Sequence, residues 1–102
     1  MPPKLTDEQR TAALAKAAEA RRTRAEIKEL LKTGSLTLAE VFERADSDDI
    51  VAGTKIFSIL ISLPGVGKVK AMRLLEEHHI AENRRIRGLG SRQRKVLLDL
   101  FS

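Results

Sequence analysis

The stretch Leu63-Pro64-Gly65-Val66-Gly67-Lys68 sits between two apolar segments with helical spacing, at 55–62 and 68–78. No other feature restricts the fold of this chain as strongly. Pro64 has no amide hydrogen and ends the incoming helix. Gly65 and Gly67 permit a reversal within a few residues and leave peptide N–H groups uncovered. The two helices then pack as a tight hairpin, with Val66 tucked between them as a plug. The outgoing helix begins at the turn, so its unpaired amides and positive dipole end face outward. That arrangement suits an anion such as phosphate, and Lys68 and Lys70 add mobile positive charge beside it. The plainer reading of the same residues is a tight helical hairpin with a purely structural turn.

The rest of the chain also reads as helix. Thr6-Asp7-Glu8-Gln9 and Thr37-Leu38-Ala39-Glu40 are capping boxes, in which Thr and the residue three places on satisfy each other's amides. The first opens a helix running to Thr33, with Gly34 as its stop. Leu14 is the only large apolar side chain between Thr11 and Ile27, so the front half of this helix has little to bury. The second box opens a short helix with Leu38, Val41, Phe42 and Ala45 inward. Ser47-Asp48-Asp49 starts another that ends near Gly53. Thr54 is expected to cap the helix over 55–62, and Ser91 the last one. Val69, Met72, Leu74 and Leu75 supply the apolar residues of 68–78, and Val96, Leu97, Leu98, Leu100 and Phe101 those of the last helix. No segment alternates with period two for long enough to form a strand. The expected fold is all-α. A long N-terminal helix over 1–34, its front half projecting, precedes a compact bundle of short helices over 35–102 with hairpins at 63–71 and 86–94.

Charge is concentrated at the C-terminal end. Residues 64–102 carry nine basic and four acidic side chains, a net of +5, which equals the formal charge of the whole chain. Such a balance favours a polyanionic partner. From Arg84 to Lys95 there are six basic residues and no acidic one. Ile86, Gly88, Leu89 and Gly90 interrupt the block, which favours a folded loop over a disordered arm. Ile86-Arg87-Gly88-Leu89-Gly90 also echoes Leu63-Pro64-Gly65-Val66-Gly67, 23 residues earlier, and again leads into a helix with basic residues, here Arg92, Arg94 and Lys95. Two such hairpins on one face make two phosphate clamps; solvated loop charge is the plainer reading. On the first helix, Arg10, Arg21, Arg24, Lys28 and Lys32 fall within about 40° of one line. They are candidates for a second polyanion contact, or a solvated face laced with pairs such as Glu19–Arg22 and Arg22–Glu26.

Composition narrows the function classes. A chain of 102 residues is one domain. With no cysteine, a thiol nucleophile and a cysteine-ligated metal are excluded. Three Phe and no Trp or Tyr disfavour single-strand recognition by stacking. Met1–Arg10 lacks an apolar signal core and no apolar run is long enough to span a bilayer, so a cytoplasmic protein without a membrane partner is expected. Asp46, Asp48 and Asp49 read as an acidic helix start rather than a metal site. His78 and His79, adjacent at a helix end, point about 100° apart and do not form a bidentate pair. No catalytic residue, metal or cofactor is expected.

The turn at Leu63–Ala71 resembles a helix-hairpin-helix, in which a Gly-hydrophobic-Gly turn holds the backbone of duplex DNA across the minor groove. Four segments together resemble the actinobacterial integration host factor family, nucleoid proteins with a helix-two-turn-helix motif. They are Leu5–Arg10, Ala17–Arg22, Val66–Ala71 and Arg84–Lys95, and the resemblance covers nearly the whole chain. It implies an all-α, non-enzymatic, nucleoid-associated protein that binds duplex DNA with little sequence preference. It further implies bending, compaction and altered topology of that DNA, and help to a phage integrase in some members. Its DNA contacts would fall on Gly65, Val66, Gly67, Lys68 and Lys70 and on Arg84, Arg85 and Arg87; the hairpin, its echo and the basic block add Pro64, Gly88, Gly90, Arg92, Arg94 and Lys95 as candidate DNA contacts. The expected state is a monomer in the cytoplasmic nucleoid. The absence of clustered Asn, Gln or Arg on a groove-reading helix agrees with weak sequence preference. The main rival is structured RNA: a small ribosomal-subunit protein uses a similar hairpin, although that class usually adds a long basic tail.

Overall fold

The computed structural model describes residues 6–101; Leu5, expected to open the first family-like segment, lies outside them. Six α-helices follow one another: α1 (Asp7–Lys32), α2 (Leu38–Ala45), α3 (Asp49–Ala52), α4 (Ile56–Ser62), α5 (Lys68–Glu77) and α6 (Ser91–Phe101). A 3₁₀ turn, Ile86–Gly88, precedes α6. Among the described residues there is no strand, only one isolated antiparallel bridge between Lys55 and Arg85.

Both capping boxes form. The Gln9 and Glu40 amides donate to the Thr6 and Thr37 hydroxyl oxygens at 3.1 and 3.2 Å. The Thr6 and Thr37 amides donate in return to Gln9 and Glu40 side chains at 3.0 and 3.1 Å. At the other end of α1, the Ser35 amide donates to Leu30 at 2.9 Å and the Gly34 amide to Leu31 at 3.2 Å. Gly34 sits there at φ +78, the left-handed stop that glycine adopts without steric cost.

The core lies where the second half of α1 meets the short helices. Ile27 and Leu31 of α1 pack against α3 and α4, α4 packs on α5, and α2 touches α3, α6 and the 3₁₀ turn. Leu31, Val41, Ile56, Ile59, Leu60, Leu75, Ile86 and Leu97 are sealed from solvent. Residues 7–17 are all exposed. At 1.5 Å per residue α1 is about 39 Å long, and it dominates the 47 Å long axis of the molecule.

Four sequence expectations need correction. Thr54 does not cap α4: Lys55 holds that position without a side-chain bond. The buried Thr54 hydroxyl instead donates back to the Ile50 carbonyl at 2.9 Å, because a buried hydroxyl needs a partner and the α3 carbonyl is nearer to hand. Ser91 does not cap α6. Gly90 does, its carbonyl accepting from the Arg94 amide and its own amide donating to Gln93 Oε1, both at 3.0 Å. Val69 is 74% exposed. α5 buries the narrow line of Ala71 and Leu75, and Val69 points about 200° away from Ala71. Leu100 is likewise exposed at the far end of α6.

Candidate nucleic-acid interface

The hairpin between α4 and α5 is built by four residues. Leu63 leaves α4 in an extended conformation, as a residue before proline prefers. Gly65 then turns the chain at φ +75, a region that costs a Cβ-bearing residue roughly 1–2 kcal/mol. Val66 is buried, and its amide donates to the Leu63 carbonyl at 3.2 Å. Val66 is thus the plug of the turn, with neither side chain nor N–H turned outward, which corrects its place among the expected contact residues. Gly67 is the N-cap of α5, with no side chain satisfying the helix end. The amides of Lys68, Val69 and Lys70 find no acceptor among the described residues. Pro64, Gly65, Gly67, Lys68 and Lys70 are all exposed around them. No acidic residue lies in the first turn of α5, so the dipole and two lysines act with the same sign.

A Cβ added at Gly67 would meet nothing within 4 Å, and its φ lies outside the left-handed region. The fold therefore does not require glycine there. What the missing side chain leaves is clear space in front of the α5 amides, through which an external anion can approach them.

The arginine loop is fixed by the short link between α3 and α4. The Ile56 amide donates to the Arg84 carbonyl at 2.9 Å, and the Ile86 amide to the Thr54 carbonyl at 3.0 Å. Ile86 and Leu89 anchor the loop in the core, leaving Arg84, Arg85 and Arg87 exposed between them. Two of the three guanidinium groups are held by backbone. Arg84 Nη1 donates to the Gly88 carbonyl at 3.0 Å and Arg85 Nη1 to the Gly53 carbonyl. Arg87 Nη1 would lie 3.6 Å from a Cβ at Gly53. The loop is not a geometric copy of the first hairpin. Residues 86–88 form a 3₁₀ turn, and Gly88 lacks the positive φ of Gly65. A Cβ at Gly88 would lie 3.0 Å from Cδ of the exposed Arg84 side chain, so a larger residue there displaces that side chain rather than the backbone. Gly90 is exposed in front of α6.

On α6, Arg92 and Lys95 are exposed. Arg94 faces α2, 3.4 Å from Asp46 Oδ1 and 5.4 Å over the Phe42 ring. It is engaged within the protein, against the expectation that it serves the interface. The Arg94 contact has no local sequence signal, because it depends on how α6 docks; capping at Gly90 has one, Gln93 three places on.

The α1 stripe divides. Arg24 and Lys28 border the same cavity as Arg85 and Lys55, so the fold joins two of the five stripe residues to the arginine loop. Arg10, Arg21 and Lys32 are exposed elsewhere along the helix, Arg10 about 21 Å from Arg24 along the axis. The Glu19–Arg22 and Arg22–Glu26 pairs do not form; Arg94–Asp46 is the only ion pair among the described residues. Among those residues no cluster of three metal-binding side chains occurs, and no helix is long and apolar enough to cross a membrane.

The family model described as an S13-like H2TH domain matches residues 31–101. Integration host factor of Mycobacterium tuberculosis is 54% identical over 99 residues, which cover 97% of this chain and 94% of that protein. Its namesake in Streptomyces coelicolor is 52% identical over 91 residues, covering 89% of this chain and 85% of that one. A solved structure described as sIHF bound to an 8bp palindromic DNA superposes with a TM-score of 0.83 at 45% identity, covering 86% of this chain and 99% of that one. With an S13-like H2TH domain, and with 52–54% identity to these mycobacterial and streptomycete relatives over 89–97% of its length, the chain belongs to the integration host factor family.

Proposed function

We propose that this protein binds duplex DNA as a non-enzymatic, nucleoid-associated architectural protein with little sequence preference. The observation that carries this reading is the likeness, over 86% of the chain, to an sIHF chain described as bound to DNA. The site geometry supports a division of labour. The open amides of Lys68–Lys70, with the two lysine side chains, hold one run of phosphates. Arg84, Arg85 and Arg87 hold a second, from which one of them reaches into a narrow minor groove, where the potential is most negative. Arg92, Lys95, Gly88 and Gly90 flank that second grip. Gripping separated phosphate runs from one rigid body favours bending, compaction and altered topology, and a bent site helps a phage integrase on the same DNA. The compact part, 35–102, carries both grips as a monomer, and the stripe on residues 1–34 extends the contact to a further stretch of DNA.

A binding titration over a range of salt tests this reading, using a random-sequence duplex with a structured RNA of equal length as competitor. Duplex preference with a steep salt slope is expected. Preference for the RNA would overturn it in favour of a structured-RNA partner held by the same residues.

A further inference from the structure

Behind the arginine loop, four cations from three distant parts of the chain line one cavity of about 240 Å³. Arg24 and Lys28 come from α1, Lys55 from the α3–α4 link and Arg85 from the loop. No acidic residue lines it, and none of the four forms an ion pair among the described residues. Nε of the same Arg24 is buried without a hydrogen-bond partner among those residues. A buried donor left unmatched is costly, and four like charges around one small space repel one another. Arg85 is held at the wall by its bond to the Gly53 carbonyl, and Ser58 adds a hydroxyl to the lining.

We propose that Arg24, Lys28, Lys55 and Arg85 form a pocket for a single phosphate group. Two guanidinium forks and two ammonium groups match the charge and the acceptor geometry of phosphate. The volume lies below the roughly 300–1,000 Å³ of pockets that enclose whole small molecules, which favours one phosphate over a nucleotide. The same chemistry can arrive as inorganic phosphate or as a backbone phosphate of DNA. In the second case the pocket rests on the duplex-binding reading and ties α1 to the same DNA that the arginine loop holds.

The test compares the full chain with Lys28→Gln, Lys55→Gln and, as a control with the same charge change, Lys16→Gln. All three lysines are exposed, so none of the variants should melt below wild type in chloride. Titration with inorganic phosphate at constant ionic strength should raise the wild-type melting temperature saturably. The response should be several-fold weaker in the two pocket variants and unchanged in Lys16→Gln. In a separate arm, the salt slope of duplex binding identifies the source. A slope lower by about one in Lys55→Gln assigns the pocket to a DNA phosphate, whether or not free phosphate binds. An unchanged slope with the phosphate response lost assigns it to free phosphate. An unchanged slope together with no phosphate response, or with equal responses in all variants, overturns the pocket. A chain that binds no duplex at any salt removes the DNA reading while the phosphate arm still decides the pocket.

Discussion

Lys55 and Arg85 face each other across an isolated antiparallel bridge, with hydrogen bonds of 2.9 and 3.0 Å on either side. The bridge fastens the arginine loop to the start of α4, and α4 runs directly into the hairpin. The two basic elements are therefore parts of one packed unit rather than independent arms. Ile86, sealed in the core between Arg85 and Arg87, is the pin. Ile86→Ala should lower stability by about 2–5 kcal/mol, read by denaturant unfolding. A loss below about 1 kcal/mol would show that the loop is not locked to the core in this way.

The two hairpin glycines separate folding from binding. Gly65→Ala should cost roughly 1–2 kcal/mol of stability through its positive φ. Gly67→Ala should fold as well as wild type, because its φ is ordinary and a Cβ there meets nothing. It should nonetheless bind duplex DNA at least about tenfold more weakly, ~1.4 kcal/mol, because the added carbon stands before the α5 amides. Wild-type affinity in Gly67→Ala, or in the bulkier Gly67→Val, would remove those amides from the interface.

Replacing Arg84, Arg85 and Arg87 together with Gln should weaken duplex binding and flatten its salt dependence by up to about three in slope. The fold should survive the loss of the Arg84 and Arg85 bonds to the Gly88 and Gly53 carbonyls, since the main-chain bonds to Thr54 and Ile56 and the buried Ile86 and Leu89 still anchor the loop. Unchanged affinity and slope in a folded triple variant would place the DNA contact elsewhere.

The two capping boxes should differ in weight despite near-identical geometry. Thr37→Ala should cost about 1 kcal/mol, because it opens α2 directly above the buried Leu38 and Val41. Thr6→Ala should leave global unfolding unchanged, because residues 7–17 bury nothing that the core depends on. Removing the residues up to Ala15 should likewise preserve a cooperative melt. Loss of that melt would make the front of α1 integral to the fold.

Much of this was legible in the sequence where the signal is local. The capping boxes, the Gly34 stop and the Pro64–Gly67 turn depend on residues within a few positions of one another, and Val66 read correctly as a plug. The family was legible for a similar reason, since its motifs are short and charged. What was not legible depends on tertiary pairing. The 3₁₀ turn at Ile86–Gly88 looked like a second copy of the hairpin, because residue types alone do not show which glycine carries a positive φ. The engagement of Arg94 with Asp46 and Phe42, and the meeting of Arg24 and Lys28 with Arg85, arise from packing between elements far apart in the chain. The exposure of Val69 follows from the narrow face that α5 buries, which its apolar pattern overstated.

The most direct test is to follow backbone amide chemical shifts while a short random-sequence duplex is added to the full chain. The largest changes should fall on Gly65 and Gly67–Lys70 and on Arg84–Gly90, with the outer face of α2 at Ala39 and Glu43 unmoved. A duplex that shifts α2 most and leaves the hairpin and the arginine loop silent, or that shifts nothing, would contradict the reading of this surface as the DNA interface.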